Sequence, residues 1–243
     1  MTNIIIGGCS FTYNSEMTWV DKIRELYKVR NVASCAAGQD YISRAVLEEL
    51  VNLRYKNSYK NIIVIVQWSG IHRRAFLVDN CKDYYIDGTA SPYVTKKNEF
   101  GYWIKNGGNT IDSNVSESQM AKKHLFDPYR KIYNPAQGMI ESLEHIARTQ
   151  WFCKLHNIPM FMFWWKDELS KVPLEKSEHW DMIDWNEFWF HKKTGGMAEW
   201  ITDTMWDPGF AEGNHPTKEQ HDKFAEKIII PWLNKVTYEV TQQ

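Results

Sequence analysis

The chain contains 243 residues, of which 43% are hydrophobic, and its formal net charge at pH 7 is −1. A chain of this length can bury a core large enough for one α/β domain. The near-neutral charge gives no electrostatic reason to expect nucleic acid or an anionic membrane as a partner. The longest apolar stretches are about half a dozen residues, much shorter than a membrane span. We therefore expect a protein that binds neither nucleic acid nor a membrane.

The first residues and the cysteines bear on the cellular compartment. The chain enters a predicted strand directly, without the charged and apolar segments of a secretory signal. The cysteines show neither metal-ligand spacing nor a dense disulfide framework: Cys9, Cys35, Cys81 and Cys153. We expect a cytoplasmic protein with free thiols, in which Cys9 and Cys35 lie near each other at the ends of neighbouring strands.

No motif in the sequence indicates a metal or a cofactor. The histidines do not occur at zinc-ligand spacing, and no H-E-x-x-H is present. The chain has no P-loop, and no Gly-x-Gly-x-x-Gly follows its first strand. We therefore expect neither a metal nor a cofactor. No sequence feature indicates an oligomeric state.

The first third of the chain alternates between predicted strands and helices. Three consecutive isoleucines, Ile4 to Ile6, predict a strand that is buried on both faces, as in a parallel sheet. A capping box at Thr18 begins a helix with apolar residues at helical spacing: Val20, Ile23, Leu26 and Tyr27. A short strand over residues 29–33 precedes a helix with its own apolar face: Ile42, Val46, Leu50 and Leu53. The run from Ile62 to Val66 is the strongest predicted strand.

The pattern breaks down between about residues 71 and 135, which we call the first insertion. Glycines and prolines punctuate this region, and no amphipathic face runs through it. Its many aromatic residues argue against disorder, so we expect ordered coil and short elements that lie over the strand ends. The alternative is a packed surface excursion without a ligand role.

The second half of the chain resumes the alternation. Asn134 and Pro135 predict the start of a helix, with a buried face at regular spacing: Ile140, Leu143, Ala147, Trp151 and Leu155. Residues 160–165 predict a fourth buried strand. A second insertion, over about residues 166–210, is rich in tryptophan, which usually stabilises loop-rich regions by packing. The alternative is that exposed tryptophans stack on a sugar or an acyl chain.

The last helix completes the predicted fold. It begins near Thr217, with Gln220 as the partner in a capping box, and its inward-facing residues share an apolar character: Phe224, Ile228 and Ile229. Pro231 is expected to end or kink it. Strands that alternate with helices predict an α/β fold, with a central parallel sheet between two layers of helices. We expect one domain over residues 1–243, in which both insertions form the walls of one cleft.

Two separated motifs supply the parts of a nucleophile, a base and an orienting acid. Ser10 follows the first strand, at the end of the sheet where open α/β folds hold their ligands. Glu212 stands three residues before His215, just ahead of the last helix. Asp203 and Asp207 are close enough in sequence to compete with Glu212 for the imidazole. The alternative for Ser10 is a cap of the following helix.

The order of these motifs resembles that of the SGNH hydrolases, which are GDSL-type esterases. The resemblance rests on four short blocks in the family's order: Gly8-Cys9-Ser10-Phe11-Thr12, the loop containing Gly38, Gln67-Trp68-Ser69-Gly70, and Glu212-Gly213-Asn214-His215. The chain departs from the family at three points. Cys9 and Glu212 each stand where the family has Asp, and the asparagine of the third block is missing.

The resemblance implies a flavodoxin-like fold and a serine esterase that hydrolyses a small ester, for which an O-acetyl group on a saccharide is one candidate. Ser10 would be the nucleophile, His215 the base and Glu212 the orienting acid. The backbone N–H groups of Ser10 and Gly38 would form the oxyanion hole. Its third donor would be Gln67 or Ser69, and both remain open.

The residues after the third strand supply candidates for substrate binding. They are Trp68, Arg73 and Arg74, and either arginine can contact an anionic group on the substrate. The alternative for the arginines is a solvated surface position. Two other functions also remain open for the chain. One is a non-catalytic binding or structural protein on the same fold, and the other is an anion-binding turn at Gly7-Gly8-x-Ser.

Overall fold

A computed structural model describes residues 3–13, 18–54, 59, 61–79, 94–96, 101–105, 122–172, 177–205 and 215–241. The strands in this part are β1 (Asn3–Gly7), β2 (Lys28–Asn31), β3 (Ile62–Trp68), β4 (Ala75–Val78), β5 (Val94–Lys96), β6 (Tyr102–Lys105), β7 (Met160–Trp164) and β8 (Phe188–Trp189). The α-helices are α1 (Ser10–Tyr13), α2 (Trp19–Leu26), α3 (Gln39–Arg54), α4 (Asp127–Ile132), α5 (Pro135–Leu155), α6 (Glu178–Asp181), α7 (Met197–Thr204), α8 (Lys218–Phe224) and α9 (Ile230–Thr241). Short π-helical and 3-10 turns also occur: Lys122–Phe126, Leu169–Lys171, Trp185–Glu187 and Ala225–Ile229.

A five-stranded parallel sheet forms the centre of the fold, in the order β2-β1-β3-β7-β8. The predicted parallel sheet is therefore confirmed. β1 and β3 run in register from Asn3 opposite Ile62 to Gly7 opposite Val66. Because all five strands point the same way, their carboxyl ends meet at one edge, which is the edge where ligands bind in open α/β sheets.

The side chains of β3 alternate between the two faces of the sheet, as the period of a strand requires. One face receives Val64, Val66 and Trp68, and the other receives Ile63 and Ile65. β1 and β7 divide in the same way, and their interior residues are buried. Burial of both faces accounts for the uninterrupted apolar runs in these three strands.

Helices cover both faces of the sheet and complete three layers. α3 and α5 pack on the face that receives Trp68, and the buried hydroxyls of Ser43 and Thr149 join these two helices at 2.7 Å. α2, α7, α8 and α9 pack on the opposite face. The predicted α/β class with a central sheet between helical layers is confirmed. No helix in the described part of the chain is both long and apolar enough to cross a membrane.

Two details of the sheet differ from the predicted sheet of buried parallel strands. The strand predicted over residues 29–33 is observed as β2 (Lys28–Asn31), and its residues alternate between exposed and half-buried because β2 is an edge strand with one neighbour. The sheet also has a fifth strand, β8, inside the second insertion, where no strand was expected. Two residues are too few to produce a periodic signal.

The buried face of α5 also differs from the prediction. Asn134 caps the helix as expected, since its side chain accepts a hydrogen bond from the Ala136 N–H at 2.8 Å. However, Trp151 and Leu155 are exposed. Leu143 and Ala147 are buried as predicted, and the other residues that face the core are Met139, Ile146, Gln150 and Cys153. Leu26 of α2 is likewise exposed, contrary to the prediction.

Pro231 does not end the last helical segment. The capping box of Thr217 and Gln220 begins α8 as predicted, and the helix then passes through the π-helical turn Ala225–Ile229 into α9. A proline removes one backbone donor and crowds the preceding turn. The wider π turn directly before Pro231 offers a physical reason why the chain continues as a helix.

The first insertion contains a small antiparallel sheet in the order β4-β6-β5. Its elements are short, as expected, but the sequence did not predict that they pair. Lys105 of β6 is buried and donates a hydrogen bond to Ser34, in the loop after β2. The Ala75 N–H of β4 donates to Asp40 at the start of α3. The described part of the first insertion therefore lies at the carboxyl ends of the parallel strands.

Candidate active site

Ser10 stands on a tight turn between β1 and α1. Strand β1 ends at Gly7, and a Cβ atom on Gly8 would lie 2.6 Å from the Thr12 hydroxyl oxygen, so the turn has room only for glycine. The Thr12 hydroxyl in turn donates to Gln67 Oε1 at 3.0 Å. Ser10 itself is half-buried. The turn thus holds the serine at the ligand-binding edge of the sheet.

The structure brings His215 to Ser10 across 205 residues of sequence. His215 Nε2 lies 2.9 Å from Ser10 Oγ, which is within hydrogen-bond distance, so this predicted contact is confirmed. Phe11 stacks on the imidazole with 4.4 Å between ring centroids. The other neighbour of Phe11 is Trp165, which follows β7, at 4.3 Å. Phe11 therefore packs between the Trp165 ring and the imidazole, and its ring restricts the imidazole at its position beside the serine.

The orienting acid stays a prediction. Glu212 and Asp207 lie outside the described residues. Asp203, the third candidate, bonds His191 Nε2 at 2.7 Å and is thus occupied by a different histidine. Among the described candidates, none competes with Glu212 for His215.

Two backbone N–H groups are available for an oxyanion. Neither the Ser10 N–H nor the Gly38 N–H donates a hydrogen bond to another described group. The loop of Gly38 is tied to the Ser10 turn, because the Ser34 N–H donates to the Gly8 carbonyl at 3.1 Å. A Cβ atom on Gly38 would lie 2.4 Å from the Arg73 carbonyl oxygen, so this position also requires glycine.

The two candidates for the third oxyanion donor differ in their surroundings. Gln67 is fully buried, and its Oε1 accepts from Thr12 and, at 3.4 Å, from Cys9 Sγ. Its Nε2 donates to the Trp68 carbonyl at 2.6 Å, so hydrogen bonds hold the amide beneath the turn at both its oxygen and its nitrogen. Ser69 is also buried, but its hydroxyl has no hydrogen-bond partner. Of the two candidates, Ser69 is the one whose side-chain donor is unoccupied.

The predicted substrate-binding residues differ from one another in their burial and in their contacts. Trp68 is fully buried in the core between the sheet, α3 and α5, so it does not reach a substrate. Arg74 forms an ion pair with Glu141 of α5 and lies over the ring of Tyr129, and it thereby anchors the first insertion. Arg73 is buried, unlike a solvated surface arginine, and two of its nitrogen atoms have no hydrogen-bond partner.

Comparisons were made with family models, with curated proteins and with solved structures. None of them matches this chain. The described residues contain no group of three or more His, Cys, Asp or Glu side chains that could hold a metal ion. The function is therefore argued from the geometry of the site.

Both insertions reach this edge of the sheet, while a cleft around Ser10 with walls from both insertions stays a prediction. Trp165, directly before the second insertion, contacts Phe11 beside Ser10. Glu168 of the second insertion accepts a hydrogen bond from the Ile71 N–H of the first at 3.3 Å. The described tryptophans of the second insertion pack on other aromatic rings, which favours packing over ligand stacking. Trp180 and Trp185 contact each other at 4.2 Å, and Trp189 and Trp200 contact Phe224 at 5.3 and 5.5 Å.

A cavity of about 570 Å³ lies beyond Trp165 in the second insertion. Its lining combines aromatic, basic and acidic side chains: Trp165, Lys166, His191, Lys192, Glu199 and Asp203. Sequence reasoning missed this cavity and the roles of Phe11 and Trp165. Phe11 lies inside the Ser10 motif, and this position was the one feature of the sequence that could have indicated its role. No local sequence feature indicates the cavity or the role of Trp165.

The cysteines behave as expected where the structure describes them. Cys9, Cys35 and Cys153 are free, and Cys81 lies outside the described residues. Cys9 and Cys35 are close enough to interact electrostatically, which agrees with their predicted proximity. Burial raises the pKa of the Cys35 thiol, while Lys105 opposes this shift. Burial also lowers the pKa of Lys105 to about 8.

His221, one turn into α8, makes the fold sensitive to acid. Burial, together with a smaller effect of the nearby His215, lowers its pKa from 6.5 to about 3. A histidine that is neutral when folded contributes stability above pH 6.5, and this contribution is lost as the pH falls towards 3. Between pH 7 and pH 4 we expect a loss of about 3 kcal/mol in the free energy of unfolding from this residue.

Urea denaturation at pH 7, 5 and 4 measures this effect. The His221→Gln variant should lose less stability on acidification than the wild type, because glutamine does not titrate. His179→Gln, at a more exposed histidine, should retain the wild-type dependence on pH. Equal acid sensitivity of the wild type and His221→Gln would contradict the assignment.

Proposed function

We propose that this protein is a serine esterase of the SGNH type, in which Ser10 is the nucleophile and His215 is the base. The observation that carries the proposal is the distance of 2.9 Å between Ser10 Oγ and His215 Nε2 at the carboxyl edge of a parallel sheet. A serine hydroxyl becomes an effective nucleophile when an adjacent base takes its proton. Glu212 is proposed to orient the imidazole.

The reaction proceeds through an acyl-enzyme. Ser10 Oγ attacks the ester carbonyl carbon while His215 Nε2 takes the hydroxyl proton. The tetrahedral intermediate then collapses, and His215 returns this proton to the departing alcohol. A water molecule next attacks the acyl-enzyme by the same steps, which releases the carboxylic acid and restores Ser10.

The negative charge on the intermediate requires donors that are already in place. The N–H groups of Ser10 and Gly38 are proposed as two of them, since neither is engaged elsewhere in the described part of the chain. The third is proposed to be the Ser69 hydroxyl, which is buried and without a partner. A buried donor without a partner is costly unless a ligand uses it.

The substrate is proposed to be a small ester, and an O-acetyl group on a saccharide is one candidate. The cavity beyond Trp165 has a volume of about 570 Å³, which falls within the range of small-molecule sites. Its mixture of an aromatic ring with polar side chains suits the alcohol part of such an ester.

A fluorophosphonate probe with identification of the labelled peptide by mass spectrometry tests the proposal. We expect a covalent adduct on Ser10, because the probe reacts with activated serines. The Ser10→Ala variant should not be labelled, while Ser170→Ala, at an exposed serine of the second insertion, should be labelled like the wild type. Absence of any adduct would favour the non-catalytic binding protein over the enzyme.

A further inference from the structure

Arg73 is a buried cation that forms no ion pair with a described residue. Its side chain is 9% exposed, and its Nε and Nη1 atoms have no hydrogen-bond partner. A guanidinium offers five N–H donors and no acceptor, so a buried arginine is satisfied only by acceptor groups or an anion. A buried charge without a partner is strongly unfavourable. A ligand that supplies an anion at this position would remove the penalty.

The carboxylates around Arg73 are occupied by other groups. Glu168 bonds the ammonium of Lys171 at 2.8 Å. Asp40 accepts from two backbone N–H groups at 2.7 and 2.9 Å. No carboxylate of the described residues forms an ion pair with Arg73. Within the described part of the chain, the fold therefore holds a positive charge at Arg73 that no carboxylate pairs with.

The position of Arg73 connects this charge with the candidate active site. Its carbonyl oxygen touches Gly38, which is a proposed oxyanion donor. Its guanidinium is within electrostatic range of Cys35, in the loop that is tied to the Ser10 turn. It also acts on Lys166, whose ammonium lies over the Trp165 ring at 4.7 Å, at the edge of the cavity.

We propose that the substrate carries an anionic group, a carboxylate or a phosphate, and that Arg73 binds this group with Lys166 beside it. The proposal deepens the esterase function and rests on it. A guanidinium forms two parallel hydrogen bonds with a carboxylate or a phosphate, which positions the ligand as well as attracting it. The adjacent Arg74 does not share this role, because it is paired with Glu141.

Three acetate esters with a common phenyl ring test the proposal: methyl 4-acetoxybenzoate, which is neutral, 4-acetoxybenzoate and 4-acetoxyphenyl phosphate. We expect the wild type to have a higher kcat/KM for at least one anionic ester than for the neutral ester, after correction for their rates in hydroxide. Arg73→Gln should lower kcat/KM for that anionic ester by about 10- to 100-fold, mainly through KM. The neutral ester should change by less than about threefold.

Two variants control for the fold and for the charge. Arg73→Lys keeps the positive charge but lacks the planar guanidinium with its two parallel donors. It should therefore retain more of the preference for the anionic ester than Arg73→Gln does. Arg24→Gln removes an exposed arginine of α2 and should leave all three rates unchanged. Equal losses for neutral and anionic esters in Arg73→Gln would overturn the proposal, as would a wild type that hydrolyses the esters without any preference for an anionic one.

Binding without turnover separates this proposal from the esterase function. Isothermal titration of the Ser10→Ala variant with the two anionic esters should show binding of at least one, and the added Arg73→Gln change should weaken it by about tenfold or more. If no ester is hydrolysed by the wild type but this Arg73-dependent binding persists, the esterase function fails and the anion site stands. Binding that does not depend on Arg73 would overturn the anion site alone.

Discussion

The Ser10→Ala variant is expected to lose hydrolysis of a short-chain aryl ester, with a fall in kcat of at least about 1,000-fold. The substitution removes the nucleophile and leaves the backbone N–H of residue 10 in place. His215→Ala should lose nearly as much, because Ser10 Oγ would then have no base within reach. The double variant should be little worse than either single variant, since the two side chains act as a unit. Initial rates with 4-nitrophenyl acetate measure these losses.

Matched substitutions elsewhere separate chemistry from folding. Ser170→Ala and His179→Ala change the same residue types outside the site and should retain wild-type rates. Glu212→Gln should cost less than either loss at Ser10 or His215, because orientation of the imidazole is only partly lost. Full activity in the Ser10→Ala variant would contradict the proposal that Ser10 is the nucleophile of an esterase.

The Phe163→Ala variant is expected to lose about 3–5 kcal/mol in the free energy of unfolding. Phe163 lies in β7 and is fully buried on the face covered by α2 and α8. Its ring contacts Phe224 at 5.1 Å and Trp19 at 5.7 Å, so alanine would leave a cavity lined by rigid aromatic rings. This loss is a large part of the stability of an ordinary domain, which is about 5–15 kcal/mol. Urea denaturation followed by circular dichroism measures it.

The control for this prediction is Leu155→Ala at the end of α5. Leu155 is 77% exposed, so its truncation should change the unfolding free energy by no more than about 0.5 kcal/mol. Both residues are apolar and were predicted to be buried, so the pair compares the sequence pattern with the observed burial. Similar losses in the two variants would contradict the buried position of Phe163.

The local sequence was sufficient to predict those elements whose position depends on one dominant interaction. The apolar runs of β1, β3 and β7 have no alternative to burial on both faces, and they determined the parallel sheet and its ligand-binding edge. The caps at Asn134 and Thr217 determined where α5 and α8 begin, because the capping side chain and the backbone N–H it satisfies are neighbours in sequence. Ser10 could be chosen as a candidate for the same reason, since it directly follows a strand.

Tertiary contacts determined those features for which the local sequence pattern allows more than one arrangement. Apolar residues of α5 recur at helical spacing on two overlapping faces, and packing against α3 and the sheet selected the one that excludes Trp151 and Leu155. The exposed Trp151 instead donates its indole N–H to the Met182 carbonyl at 3.2 Å, and so holds the second insertion. The strand β8 forms only because the edge of β7 offers it a partner.

In the candidate site, too, the sequence predicted some features and the tertiary structure determined others. Its nucleophile and base could be named from the sequence, because each stands in a short motif at the end of a predicted element. Their contact, across 205 residues, required the fold. Arg73 and Arg74 are chemically identical neighbours, and no local rule distinguishes them. Arg74 pairs with Glu141 on α5, whereas Arg73 is buried beside Gly38 without an ion pair to any described residue, because successive side chains after β3 extend towards different neighbours.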